Sequence, residues 1–186
     1  MGQLANIAGL TALMMIQPII SIAEVTDPAA KAALACFDDK DWVCAFDGLA
    51  DFLETSKRLE TCASEPRGCG YEVATLYVAG IGAAEKVDPS ERRAVAERAL
   101  KLLGTVADGV MPKNGEILFS ALRYDACAAD GDEACKAESA DMIRLAIKVG
   151  NRQVDFANAQ LAAQGIHYPI NLGNVIAEVS QTEKKL

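Results

Sequence analysis

Histidine and tryptophan occur once each in this 186-residue chain, and aromatic residues make up only 5% of it. Each shortage excludes something. With His167 as the single histidine, a metal site built on imidazoles lacks its second ligand, and a lone histidine beside Pro169 reads as a loop residue. No Cys-x-x-Cys occurs, which removes both the usual zinc spacing and a thioredoxin-like redox pair. No Gly-x-Ser-x-Gly, Walker loop or dinucleotide fingerprint is present, and Gly80-Ile81-Gly82 is only two glycines in a turn. Positive charge is also in deficit, with 18 Lys and Arg against 26 Asp and Glu, a net charge of −8. Such a surface repels phosphate backbones, so nucleic acid is not an expected partner, and no cofactor or metal is expected. The residues that favour strands, β-branched and aromatic, are sparse and scattered, while alanine, the best helix former, is abundant. The chain is expected to be all-α.

The first 23 residues contain no charged side chain. They are mostly apolar from Leu4 to Ala23, carry Pro18, and end in the small-x-small triplet Ser21-Ile22-Ala23 before charge begins at Glu24. This reads as a secretory signal at 1–23, although no Lys or Arg precedes the apolar run. The other reading is an N-terminal anchor, since about 20 apolar residues span a bilayer. A membrane is a partner only if that segment is retained. Residues 24–186 then form one domain, with no low-complexity linker to divide them.

Six cysteines fall into three close pairs, Cys36/Cys44, Cys62/Cys69 and Cys127/Cys135. Two of these sit in matching figures, ACFDDKDWVC (35–44) and ACAADGDEAC (126–135). Reducing cytosol leaves such pairs idle and a periplasm closes them, so the cysteines point the same way as the N-terminal run, to a periplasmic or secreted protein. Connectivity is formally open, and nearness in sequence favours three local bridges. The figure also constrains the backbone. One continuous helix through eight steps holds the end Cα atoms roughly 12 Å apart, whereas a disulfide needs them within about 7 Å. A bridge therefore requires the chain to turn back on itself. Asp38, Asp39 and Asp41 supply that turn in the first figure, Gly131-Asp132 in the second, and Pro66 and Gly68 in the third.

Helix signals fill the rest. Asp27 and Pro28 open a helix over 26–37, and Asp41 caps the next. In 41–60, Trp42, Phe46, Leu49 and Leu53 form one face, widened by Phe52 and Leu59. EPRG (65–68) is a turn, and 69–80 is a helix with Val73, Leu76 and Tyr77 inward. The stretch 80–91 is expected to be a loop ending in a capping box, Asp88-Pro89-x-Glu91. A helix over 89–108 then buries Val95, Ala99, Leu102, Leu103 and Val106. A helix over 115–128 carries Ile117, Leu118, Ala121 and Leu122, and another starts near Glu133 with Met142, Ile143, Ala146 and Ile147. Gly165–Pro169 is a loop, and 171–182 the last helix.

Helix pairs clipped by C-x7-C resemble the cysteine-rich branch of the Sel-like repeats, relatives of the tetratricopeptide repeats. VATLYVAGIG (73–82) resembles that family's L-x-x-L-Y-x-x-G-x-G, with Leu76, Tyr77, Gly80 and Gly82 on matching positions, and NAQLAAQGI (158–166) is a fainter echo. The resemblance covers 36–104 and 116–165. It implies antiparallel helical hairpins in a short α-solenoid or compact bundle, with glycines turning the chain out of the first helix and Ala94 and Ala99 at a helix crossing. Such proteins are usually binding scaffolds with a concave face.

The expected function is a non-catalytic, exported scaffold for another protein or peptide. Tyr71, Tyr77, Arg123, Tyr124 and Arg144 are candidate contacts, because exposed Tyr and Arg dominate binding hot spots. Trp42 could be an anchor of the same kind, but its apolar face points to the core. One alternative, implied only by the resemblance, is a periplasmic hydrolase of cell-wall or β-lactam-type substrates. Another is an inhibitor or immunity protein, which size, disulfides and acidity suit. Asp47, Asp51 and Glu54 share a helix face; a solvated face is the simpler reading, a cleft-flanking acid and base the sharper one. Asp38, Asp39 and Asp41, like Asp130 to Glu133, fail the calcium-loop pattern at its glycine and its final glutamate.

Overall fold

A computed structural model describes residues 27–62, 70–105, 114–149 and 161–183. The apolar N-terminal run, the EPRG turn with Cys69, Val106 and residues 150–160 lie outside the described residues. Within them all regular structure is helical: α1 (Pro28–Asp38), α2 (Trp42–Ser56), α3 (Arg58–Cys62), α4 (Gly70–Lys86), a 3-10 turn (Pro89–Glu91), α5 (Arg92–Leu103), α6 (Asn114–Asp130), α7 (Glu133–Val149) and α8 (Leu172–Glu183).

The two matching figures fold identically. Asp27 caps α1 through its carboxylate, which accepts from the Ala29 and Ala30 amides at 2.8 and 3.2 Å. α1 then ends in a Schellman turn. The Asp41 amide donates to the Cys36 carbonyl and the Lys40 amide to Phe37, with Lys40 at φ 60°. Asp41 at once caps α2, its carboxylate accepting from the Cys44 amide. In the second figure Asp132 donates to the Cys127 carbonyl, Gly131 sits at φ 70°, and the Asp132 carboxylate accepts from the Cys135 amide. Each reversal brings its cysteine Cα atoms to 5.8 Å and closes the disulfides Cys36–Cys44 and Cys127–Cys135. Cys36 pairs with Cys44, and Ala33 meets Gly48, three residues back along α1 and four residues on along α2, a register only opposite-running helices make. Arg123 and Glu138 do the same for α6 and α7. The third expected bridge, Cys62–Cys69, falls outside the described residues.

Consecutive helices pack on one another: α2 on α4, α4 on α5, α5 on α6, α6 on α7, with α8 against α6 and α7. The core runs through Phe46, Leu76, Ile81, Phe119, Leu122 and Ile143. The expected inward residues Trp42, Phe46, Leu49, Leu53, Val73, Ile117, Leu118, Ala121 and Leu122 are all buried.

Four expectations are corrected. The stretch 80–91 is not a loop, because α4 continues to Lys86. Gly80 and Gly82 lie inside that helix, where they admit aromatic rings. A Cβ on Gly82 would stand 2.5 Å from Trp42 Cγ, and one on Gly80 2.7 Å from Phe119 Cζ. The span 41–60 is not one helix either: Lys57 takes a left-handed φ of 51°, which redirects α3 so that Leu59 is buried. The helix expected over 89–108 opens with the 3-10 turn, Asp88 makes no side-chain cap, and it stops at Leu103 as the Gly104 amide closes on Leu100. Finally, Ala96 joins Ala99 in the core while Ala94 is exposed.

Candidate functional site

The tyrosines and arginines singled out as surface contacts are largely committed within the fold. Tyr77 is 8% exposed and meets Phe119 edge-on at 5.8 Å. Burial pushes its hydroxyl well above its ordinary ionisation range. Tyr124 is buried too; its hydroxyl donates to Glu178 at 2.7 Å, and the Lys136 ammonium stands 5.1 Å from the ring centroid. Arg123 bonds Glu138 at 2.7 Å and Glu97 at 3.4 Å, and Arg144 bonds Asp141 at 2.6 Å. The backbone of Tyr71 lies in α4, and its side chain lies outside the described part. Trp42 is a core residue, as its helix face indicated.

Asp47, Asp51 and Glu54 lie on an exposed helix face, as the simpler reading had it, but they are not free there. Their carboxylates converge on one guanidinium, Arg98 of α5: Asp51 and Glu54 bind Nη2 (Glu54 at 3.0 Å), and Asp47 binds Nη1 at 3.4 Å. Lys101 adds a contact to Glu54 at 3.6 Å. The hydrogen bond from Arg98 holds the Glu54 carboxyl below its ordinary value of 4.5, against the opposing effect of desolvation. A carboxyl so held stays ionised, which suits a clamp and not a proton donor. The clamp joins α2 to α5, a pairing the spacing of the carboxylates could not show. Glu54 is depressed in the fold, so its contribution to stability is present above pH 4.5 and is lost as pH falls through its folded value. Arg98→Ala is expected to lower stability by about 1 kcal/mol at neutral pH and low salt. It should also flatten the acid limb below pH 4.5, which urea unfolding across pH measures.

One concave feature of the described surface lies near the C-terminal end. A cleft of about 350 Å³ is lined by Leu161, Ala162, Ile166, His167, Tyr168, Ile170, Asn171 and Leu172. Its construction follows from local chemistry. Residues 161–163 are helical and end in a third Schellman turn, with Gly165 at φ 74° and the Ile166 amide donating to Leu161 at 2.9 Å. Three bonds then hold the segment against the body of the protein. The Lys40 ammonium donates to the Gln164 carbonyl at 3.3 Å, the His167 amide to Glu85 at 3.1 Å, and the Tyr168 hydroxyl to the Leu118 carbonyl at 2.5 Å. Pro169 and the Asn171 carboxamide, which accepts from the Asn174 amide at 3.1 Å, start α8.

Leu161 and Ile166 are buried as the floor, Ile170 and Leu172 are half-buried walls, and His167 and Asn171 stand exposed at the rim. An aliphatic floor under a polar rim suits a non-covalent apolar ligand with a few orienting hydrogen bonds. Among the described residues no cluster of His, Cys, Asp and Glu could hold a metal ion. Reasoning from sequence passed over this site because it treated 165–169 as connecting loop. The signal was the alternation Ile166, Tyr168, Ile170, unusual for a solvated turn. Among the described residues no helix is long and apolar enough to cross a membrane. Compared with family models, curated proteins and solved structures, the chain matches none.

Proposed function

We propose that this chain is an exported, non-catalytic helical scaffold that binds another protein or a peptide, taking an apolar side chain of its partner into the cleft over Leu161 and Ile166. The aliphatic floor and polar rim of that cleft carry the reading. The clipped hairpins are consistent with a short solenoid or compact bundle of the Sel-like kind, which presents such a surface on a rigid frame. Periplasmic or extracellular residence is part of the same proposal. Two intrachain disulfides persist in an oxidising compartment and are rare in the cytosol.

The test is site-specific photo-crosslinking in cells that make the protein. A benzophenone side chain at Asn171, on the rim, is expected to yield an adduct of defined mass. The same group at Lys31, exposed on α1, is expected to yield none of that mass. Equal adducts at both positions, or none at Asn171, would overturn the reading. The purified protein is expected to leave a chromogenic lactam intact, and turnover would favour the hydrolase alternative.

A further inference from the structure

The two disulfides share a sequence figure, a turn and a Cα separation, yet they differ in access. Cys127 is 0% and Cys135 6% exposed. Their hairpin is overlaid by α5 and α8, and Arg93 reaches across from α5 to Asp132 at 3.1 Å. Cys44, by contrast, is exposed and Cys36 half-buried, at an elbow on the surface. What each bond holds differs as well. α6 and α7 are fixed by large buried side chains such as Phe119 and Ile143. α1 leans chiefly on α2, and its fully buried residues are Ala30, Ala33 and Leu34. A helix of eleven residues is marginal by itself, and two alanines and one leucine bury little apolar surface. With Phe37 the partly buried aromatic that adds to this contact, the Cys36–Cys44 bond is a covalent constraint on a thinly packed helix.

We propose that Cys36–Cys44 is a thiol–disulfide exchange site whose substrate is a dithiol, and that its opening releases α1, while Cys127–Cys135 is a permanent structural bond. One thiolate of the donor attacks the sulfur of Cys44, the more exposed residue of the pair. The Cys36 thiolate leaves and is protonated, and a mixed disulfide joins donor to Cys44. The donor's second thiolate then attacks the donor sulfur of that bond. Cys44 departs as a thiolate and takes a proton, and the donor leaves as a disulfide. Two electrons and two protons have passed to the cysteine pair. The elbow carries Asp38, Asp39 and Asp41 against Lys40, so it disfavours an anionic reductant such as glutathione relative to a neutral dithiol.

The elbow also contains its own reporter. Phe37 stands edge-on to Trp42 with ring centroids 5.3 Å apart, and Trp42, the sole tryptophan, is 4% exposed. Release of α1 removes Phe37 from that contact and admits water to the indole. None of this depends on what the cleft binds.

The experiment treats the oxidised full chain with dithiothreitol at neutral pH, quenches with iodoacetamide at intervals and maps the peptides. Cys36 and Cys44 are expected to become alkylated about ten-fold or more faster than Cys127 and Cys135, as access dictates. Trp42 emission should move to the red, and amide exchange in α1 should rise, on the same time course. The variant C36S/C44S is expected to show the shifted emission without reductant. Equal rates for the two pairs, or opening of Cys36–Cys44 with neither the emission nor the α1 exchange changed, overturns the proposal. A glutathione rate equal to that of dithiothreitol at the same thiol concentration overturns the assignment of the substrate.

Discussion

Trp42→Ala is expected to destabilise the protein by about 3–5 kcal/mol, the usual loss for a large aromatic removed from a core. The indole lies against the backbone of α4 at Gly82, and no larger residue fits there: a Cβ would come within 2.5, 2.8 and 2.9 Å of Trp42 Cγ, Cδ2 and Cβ. These atoms are the base of the side chain and not a movable tip, so Gly82→Ala forces the helices apart. Overpacking of this kind costs about 1–3 kcal/mol. The helix propensity of alanine offsets up to about 1 kcal/mol of it. The net expectation is a loss of about 1–2 kcal/mol. The informative result is the sign of the same substitution in the Trp42→Ala background. There the space is vacated, only the propensity gain remains, and Gly82→Ala should stabilise by up to about 1 kcal/mol. Urea unfolding of the four proteins closes the cycle. Additive effects would show that the glycine is unrelated to the indole.

Removing the central clip, with Cys127 and Cys135 both changed to alanine, is expected to lower global stability by about 2.5 kcal/mol. That is the chain-entropy value for a loop of about nine residues. The figure is a floor, because the sulfur atoms are also packing atoms: both residues are buried, and Cys127 is 0% exposed. For a domain of this size the midpoint of thermal unfolding should fall by about 5–10 °C. C36S/C44S loses the same loop entropy on paper, yet its effect should be local. α1 can detach while the helices from α2 onward remain assembled, so the global midpoint should move less while α1 loses exchange protection. Calorimetry paired with amide exchange distinguishes the two cases. Equal global losses with no local opening in α1 would contradict the difference in burial described above.

The elbows were legible in the sequence because everything they need is within ten residues. Asp41 and Asp132 cap, Lys40 and Gly131 turn, and the cysteines lock a geometry that a straight helix forbids. The inward faces of α2, α4 and α6 were legible for the same reason, since a period of 3.6 is a local property. Gly80 and Gly82 were misread because the rings that require them, Phe119 and Trp42, stand about forty positions away in the chain. Nothing near 80–82 distinguishes a glycine that turns from a glycine that makes room. Tyr124 was misplaced on the surface, and Tyr77, read as inward on its own helix, was also offered as a contact; a tyrosine at an inward position carries the same letter as one at an outward position, and the neighbouring helices decide. The convergence of three carboxylates on Arg98 depends on how α5 crosses α2, a relation no window of sequence contains. The cleft depends on Lys40, Glu85 and Leu118 reaching the segment 164–168 from three separate helices or turns.

The bond from Lys40 to Gln164 joins positions 124 residues apart, and that from Glu85 to His167 positions 82 apart. As the chain is made, the first hairpin is complete long before the segment that latches its elbow exists. At ordinary rates of synthesis the interval is on the order of ten seconds. During it every residue of the first hairpin is present, while its apolar side, Trp42, Phe46 and Leu49, still awaits α4 and α6. The fold is thus assembled in two instalments, and the second closes the molecule back upon its own beginning.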